Sequence, residues 1–444
     1  MGNPSRKKAG QRESIPSRKR PPRGRIRQPR THQPHGPEKK VRIAYFAEIF
    51  PSTTETWVHH EIAELVRLGC DVRVFASWDS PPIRTAEETT LASLTRYPDA
   101  MSAKEILRGL TALARPGFLL QMLKALFSEP PKPRQAAQWL RDFFRLARTL
   151  GAVRAFKPQV TVCHFAGSRS NLGLMLQWLD QTPCVIKSHA LDVFSGSVLF
   201  STKVNQAERF YTISRYNVDF IASHYPKADP SRIRVHTCGV PLELLPFRPS
   251  LDLDQNEPPV LLSVGRLIPM KGFDVLIAAS KQLIDRGFDH RVVIIGEGPE
   301  EAALKSRADE YGIRDYIEFK GYRTPAEVHS SLHSASLFVM PSLWDQKKNT
   351  QDGIPVALME SMASGTLSMA SRLSGIPELI EDGVSGFLCE PGNHDELAAA
   401  IQKALSLSET ERDAILTSAR EVIENHHDTK KLTQDLLHDM ETLA

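Results

Sequence analysis

Two cations stand close together in the segment SVGRLIPMKGFDVLIAA (263–279): Arg266, directly after Gly265 at the end of an apolar run, and Lys271, just before Gly272 and a helical pattern. Arginine offers a planar fork of donors, lysine a mobile point charge, and glycine lets backbone N–H groups come close to a ligand. The set suits a diphosphate, although alone it reads equally as exposed loop cations. A second segment, QDGIPVALMESMASGT (351–366), sets Asp352 and Gly353 before a helix with Pro355 in its first turn, so that the helix's positive end faces the loop as an anion site. Eight residues beyond Asp352, Glu360 falls among Val356, Ala357, Leu358 and Met359. A carboxylate on that apolar face needs donors, and ribose hydroxyls, a structural salt bridge or a helix cap would each supply them.

The elements around these segments alternate between strand and helix. VRIAYFA from Val41 is a short buried-strand run, ETWVHHEIAELVRLG has helical periodicity, and DVRVFA is a second strand. Further strand runs are expected at 159–165, 183–188, 209–214 and 232–236, then at 260–265, 291–296, 316–321, 336–341 and 366–371. Strands alternating with helices predict parallel sheets, here two doubly wound α/β units joined by a polar, Pro-containing linker near 246–258. Ligands of such sheets bind beyond the carboxyl ends of the strands, where Gly265 and Arg266 fall. Residues 101–157 interrupt the alternation with helices rich in cations, eleven Lys/Arg against three acids, interleaved with Leu, Phe and Trp. That composition fits either a membrane-surface helix or core helices with a solvated cationic face.

Charge and cysteine usage narrow the class. The net charge of +4 averages two unlike parts, because residues 1–42 hold 14 Lys/Arg and only Glu13 and Glu38 as acids, leaving 42 cations against 50 acids beyond. The tail is too polar to offset the entropy of ordering and is expected to be disordered, either as a tether to anionic lipid or nucleic acid or as a dispensable extension. Five scattered cysteines without CxxC spacing indicate neither a disulfide framework nor a zinc site. No run approaches the roughly 20 apolar residues of a membrane span. A cytoplasmic location is expected.

GRLIPMKGFD, DGIPVALMESMASG and SGIPELIEDGVSGFL (374–388) follow in order, and FPSTTETWVHHEIAEL (50–65) opens the first unit. On these segments the chain resembles the retaining glycosyltransferases of the GT-B fold, family 4 (glycosyltransferase group 1), of the bacterial exopolysaccharide or colanic-acid type. The resemblance runs from about Val41 to the C-terminus. It implies an acceptor-binding domain (41–247), a nucleotide-sugar-binding domain (248–426) and a final helix (427–444) crossing back to the first domain, while the basic tail (1–40) and the details of the helical insertion (101–157) lie outside it.

The resemblance also assigns roles. Arg266 and Lys271 would bind the donor diphosphate and stabilise charge on the leaving group. Gly265, Gly353, Ile354 and Pro355 would line sugar and phosphate, and Glu360 would accept from the ribose. The family's E-x7-E pair stands here as Asp352 and Glu360, the first carboxylate one methylene short, with Asp352 directed at the sugar hydroxyls. His189, closing PCVIKSH, occupies the place of a family histidine near the transferred sugar. The implied mechanism is retention by front-face attack, with the diphosphate helping to take the acceptor proton and no metal, cofactor or protein nucleophile required. The implied partners are a UDP- or GDP-sugar, a saccharide or lipid-linked saccharide acceptor and peripheral contact with anionic membrane at its inner face, without nucleic acid. The competing readings are a nucleotide-sugar epimerase on the same fold, and a catalytically weakened membrane- or nucleic-acid-binding protein that works through its basic tail.

Overall fold

The computed structural model describes residues 41–52, 54–78, 86–97, 103–249 and 257–444, apart from the side chains of residues 103–106 and 108. The basic tail, Thr53 of the opening motif and residues 250–256 of the expected linker lie outside the described residues.

The first half begins β1 (Arg42–Ile49), α1 (Thr56–Arg67), β2 (Asp71–Trp78), α2 (Ala86–Ser93) and the two-residue β3 (Thr95–Arg96). Three helices follow, α3 (Ala103–Leu113), α4 (Pro116–Ser128) and α5 (Pro133–Phe156). The alternation then resumes with β4 (Val160–His164), α6 (Ser168–Asp180), β5 (Cys184–Lys187), α7 (Ala190–Ser195) and α8 (Phe200–Gln206). This half closes with β6 (Arg209–Thr212), α9 (Arg215–His224) and β7 (Ile233–Val235). Its seven strands, all parallel, run in the order β3-β2-β1-β4-β5-β6-β7.

The second half comprises β8 (Val260–Val264), α10 (Phe273–Asp285), β9 (Arg291–Ile295), α11 (Glu301–Glu310), β10 (Ile317–Gly321) and α12 (Pro325–His333). It continues through β11 (Leu337–Met340), α13 (Val356–Ser364), β12 (Ser368–Ser371), α14 (Ile376–Leu379), β13 (Phe387–Cys389) and α15 (His394–Leu405). Two helices end the chain, α16 (Glu409–His426) and α17 (Thr429–Glu441). The parallel order here is β10-β9-β8-β11-β12-β13. Both sheets are doubly wound, as the strand and helix alternation predicts. The short strands β3 and β13 were not foreseen, since two or three residues carry no readable period.

Strand alternation builds each core. In β1, Ala44 and Phe46 join the cluster on one face of the sheet while Ile43 and Tyr45 join the other. In β11, Leu337 and Val339 face one cluster and Phe338 and Met340 the opposite one. Successive side chains of a strand point to opposite faces, so strands buried on both sides read as unbroken apolar runs. Helix ends are set by local chemistry: Thr324 with Glu327 and Ser408 with Glu411 form reciprocal capping boxes at the starts of α12 and α16.

The chain crosses back at its end. α17 packs on α1, and Leu436 and Met440 enter the cluster with Ile43, Val58 and Leu65. Asp439 of α17 accepts from Arg209 Nε at 3.0 Å, from Arg234 Nη1 at 3.0 Å and from the Tyr211 hydroxyl. Of the expected linker, Arg248 is tied by its N–H to Ser364 O at 3.0 Å, so that part of the chain lies along the end of α13.

Candidate functional site

In each sheet the strand order reverses once, between β1 and β4 and between β8 and β11, and crevices at such points are where α/β sheets hold ligands. The loop after β8 carries Gly265, Arg266 and Lys271, while Pro341 and Ser342 follow β11. The two loops interlock. Gly272 has φ of +66°, and a Cβ there would fall 1.8 Å from Pro341 O, so only glycine fits. Leu343 N also donates to Met270 O at 2.8 Å.

The stem of Lys271 lies against Gly265, and its ammonium reaches Asp352, with Nζ 3.0 Å from Oδ1 and 2.9 Å from Oδ2. The Ser342 hydroxyl donates to Asp352 Oδ2 at 2.6 Å. Lys271 therefore meets the approach to α13, and the two chemistry-bearing segments converge. Arg266 is exposed and makes no ion pair or hydrogen bond through its guanidinium with any described residue.

The span from Asp352 to Glu360 is not one helix. Pro355 is the N-cap of α13, with φ of −68° and ψ of 129°, rather than a first-turn residue, because the chain bends at Gly353 and Ile354 before the helix begins. Gly353, Ile354 and Pro355 are buried between the halves. A Cβ on Gly353 would meet Ile213 Cδ1 at 2.5 Å and the Ala190 Cβ at 3.1 Å, so this loop rests on the first half directly beside His189. Glu378 of α14 strengthens the junction by accepting from Arg215 N and Tyr216 N, each at 2.7 Å, at the positive end of α9. Glu360 is half-buried on α13, and its carboxylate takes no hydrogen bond or ion pair from a described residue. Burial pushes its carboxyl up to about 7, opposed only by the nearby His60.

His189 ends the loop after β5 and stands at the head of a buried chain that sequence reasoning missed. Its Nε2 lies 3.1 Å from His164 Nδ1, and His164 Nε2 lies 2.9 Å from Glu61 Oε1. Tyr45 Oη donates to Glu61 Oε1 at 2.8 Å, and Lys187 Nζ donates to Glu61 Oε2. Burial alone would raise the Glu61 carboxyl, yet Lys187 and His164 hold it well below the ordinary carboxylate range. An ionised Glu61 accepts from His164 Nε2–H, which leaves His164 Nδ1 to accept from His189 Nε2–H. Burial, reinforced by His164 and Lys187, holds the His189 imidazole well below its usual range and therefore neutral. Its Nδ1 faces the Cys238 sulfur, at 3.9 Å, and its backbone N–H donates to Asp192 Oδ1 at 2.9 Å. The indole ring of Trp57 lies 5.6 Å from that of His189, and its buried Nε1–H finds no partner among the described residues.

The structure thus brings Gly265, Lys271, Asp352, Gly353, Ile354 and Pro355 into one contiguous site, with His189 adjoining through Ala190, Arg266 at its exposed edge and Glu360 on the following helix. Also unforeseen were Ser342 and the pair Gly296 and Gly298, where a Cβ would fall 1.9 Å from Gly265 O and 2.3 Å from Leu267 O. The GEGP sequence (296–299) was a readable signal for the glycines, whereas nothing in the sequence singles out Ser342. Two cations, a helix amino end and an unpartnered carboxylate at a strand-order reversal can together hold a diphosphate and the hydroxyls attached to it.

Residues 54–244 match the family described as Glycosyltransferase Family 4, and residues 250–421 the family described as Glycosyl transferases group 1. The amylovoran biosynthesis glycosyltransferase AmsK of Erwinia amylovora is 29% identical over 436 residues, covering 91% of this chain and all of the relative. The putative colanic acid biosynthesis glycosyltransferase WcaL of Salmonella typhimurium is 27% identical over 431 residues, with 91% of this chain and 100% of the relative covered. Among solved structures, Anabaena HepE in complex with UDP superposes with a TM-score of 0.68 at 16% identity, covering 90% of this chain and 100% of that one. Sucrose-phosphate synthase of Thermosynechococcus elongatus gives 0.68 at 18% identity, covering 91% and 99%. These structural likenesses establish the GT-B fold. With one family segment on each sheet, in that order, the chain belongs to the family 4 and group 1 glycosyltransferases.

Proposed function

We propose that this glycosyltransferase moves a sugar from a nucleoside-diphosphate donor, with retention of anomeric configuration, to a saccharide or lipid-linked saccharide during assembly of a cell-surface exopolysaccharide. The observation that carries the reading is the junction of Lys271 with the approach to α13, flanked by Arg266 and followed by the unpartnered Glu360. The diphosphate takes the place of Asp352 on the Lys271 ammonium, and Arg266 supplies a second, exposed cation. Fixed positive charge there stabilises the leaving group as the glycosidic bond breaks. Glu360 accepts from the ribose. Asp352, released from Lys271 and still anchored by Ser342, meets the sugar hydroxyls, and His189 borders the sugar from the first half.

Retention follows from front-face attack, in which the leaving diphosphate takes the acceptor proton, so the reaction proceeds without metal or cofactor. The relatives named for colanic acid and amylovoran biosynthesis support the exopolysaccharide assignment, and the HepE complex with UDP supports a uridine donor. Among the described residues no helix is long and apolar enough to cross a membrane. Independently of that, the lipid-linked acceptor in this reading puts the enzyme's work in the cytoplasm, at the inner face of the membrane.

The test is a panel of UDP- and GDP-sugars screened by thermal shift, since a bound donor stabilises by the logarithm of its saturation. The stabilising donor is then incubated with saccharide and lipid-linked acceptors, and the product anomer is read by NMR. Transfer with retained configuration is expected. An inverted product, an epimerised donor without transfer, or turnover abolished by a chelator and restored by a divalent ion would each reject part of the reading.

A further inference from the structure

Helix α4 is apolar nearly all round, with Lys124 as its only charge. At about 100° per residue, Leu119, Leu120, Leu123 and Phe127 fall within roughly one quarter to one third of its circumference. All four are exposed, Phe127 by 81%. The opposite side, with Phe118, Met122 and Ala125, packs into the core of the first half. A helix with two apolar faces and only one of them covered lacks a partner for the other. On the neighbouring α5, Leu140 and Phe144 are exposed one turn apart, and Phe143 stacks on Phe118 of α4 at 6.4 Å.

The charges around this surface are sorted by sign. Lys124, Lys132, Arg134, Arg141 and Arg148 are exposed and make no ion pair with a described residue. The acids between Pro116 and Phe156 are Glu129 and Asp142 alone, and both are spent inward. Asp142 is fully buried and accepts from Arg145, Gln138, Ser168 and Asn171. Glu129 accepts from Ser201 N at 3.2 Å and Thr202 N at 2.9 Å at the start of α8. The outward face of α4 and α5 therefore combines large apolar side chains with cations, and neither helix turns an acid onto it.

We propose that α4 and the first half of α5 form a docking surface for an anionic lipid bilayer. Leu119, Leu120, Leu123 and Phe127 enter the acyl boundary while the surrounding cations meet the headgroups. A second copy is the poorer occupant, because a twofold contact through this face would set like charges against each other with no acid of α4 or α5 to pair them. Nucleic acid fits poorly, since aliphatic side chains occupy the centre of the patch. Position gives the surface its purpose. Arg145 of α5 lies over the Trp78 ring at 5.5 Å and beside Glu48, at the carboxyl ends of β2 and β1, so Leu140 and Phe144 stand on the cleft-side rim of the sheet. An acceptor anchored by a lipid would enter there. This purpose rests on the lipid-linked acceptor proposed above, whereas the docking is measured without any substrate.

The full chain, the double variant Leu120→Glu/Phe127→Glu and a chain lacking residues 1–40 are sedimented with vesicles containing about a quarter phosphatidylglycerol, or phosphatidylcholine alone. The full chain should bind the anionic vesicles at least tenfold better, with the difference shrinking in high salt. The double variant should lose at least tenfold of that binding while retaining its melting temperature and its turnover of a soluble acceptor, and the truncated chain should keep most of it. Equal binding by the double variant and the full chain, binding lost only on removing residues 1–40, or a dimer of the full chain that the double variant dissolves would each overturn the proposal. Binding without transfer would sink the acceptor reading and leave the docking intact.

Discussion

The two halves of this molecule treat charge in opposite ways. Around the reversal of the first sheet, Glu61, Lys187, His164, His189 and Tyr45 come from four elements and the loop after β5 and bond to one another in a buried chain. Around the reversal of the second, Arg266 and Glu360 have no partner among the described residues, and Lys271 is held by an aspartate that a stronger anion can displace. The first arrangement fixes tautomers and shape. The second keeps its charges available for a ligand. A charge removed from the first half should therefore cost stability, and one removed from the second should cost catalysis.

The sharpest way to break that contrast is Glu61→Ala. It leaves the Lys187 ammonium buried and unpaired, which costs on the order of 3–5 kcal/mol. Denaturant unfolding should record that loss, and a variant as stable as the parent would show that water replaces the carboxylate and that the network is not closed.

Lys271→Ala probes the other half. It should lower kcat/KM by about 100-fold, close to 2.7 kcal/mol of transition-state stabilisation, with little change in melting temperature. By calorimetry the nucleoside diphosphate should lose far more affinity than the nucleoside. Equal losses would move the lysine away from the phosphates.

Glu360→Gln separates stability from catalysis at one position. In the folded protein the Glu360 carboxyl is raised to about 7, so between the ordinary carboxylate range and pH 7 the folded state holds a proton that the unfolded state has released. Stability from this group therefore falls as pH rises through that window, and glutamine removes the penalty. The variant should be more stable than the parent at pH 8, by roughly 1–3 kcal/mol, and nearly equal to it at pH 4. Its kcat/KM should be about tenfold lower at pH 8 and should lack the parent's rise through pH 7. A parent profile flat across that range would mean the carboxylate is not the form that binds donor.

The smallest effect is expected for Asp352→Glu. With Ser342 and Lys271 both able to follow a carboxylate one methylene longer, activity should stay within about threefold of the parent. A folded but inactive glutamate variant would show that the space between Lys271 and Ser342 is cut to the aspartate.

Much of the second half was legible because its chemistry is local. Gly265, Arg266 and Lys271 lie within one loop, and Asp352 and Glu360 within one loop and the helix behind it, so spacing and residue type alone mark them. The doubly wound fold was legible for a related reason: strands buried on both faces read as unbroken apolar runs separated by helical periods. Where local reading failed, geometry over a few residues decided. The bend at Gly353 and Ile354 put Pro355 at the N-cap, and edge strands of two or three residues left no pattern to find.

The amino-acid order by itself determined which segments carry phosphate-seeking groups, that two parallel sheets follow in series, and that helices with excess cations interrupt the first of them. Only the tertiary structure decided that Lys271 meets Asp352 across 81 positions, and that Glu61 reaches His164 across 103. It also decided that both acids from α4 through α5 turn inward while Lys124, Lys132, Arg134, Arg141 and Arg148 stay outside. The reason is physical: periodicity shows which face of an element is buried, whereas the partner waiting on that face is supplied by distant chain and exists only once the sheets have formed.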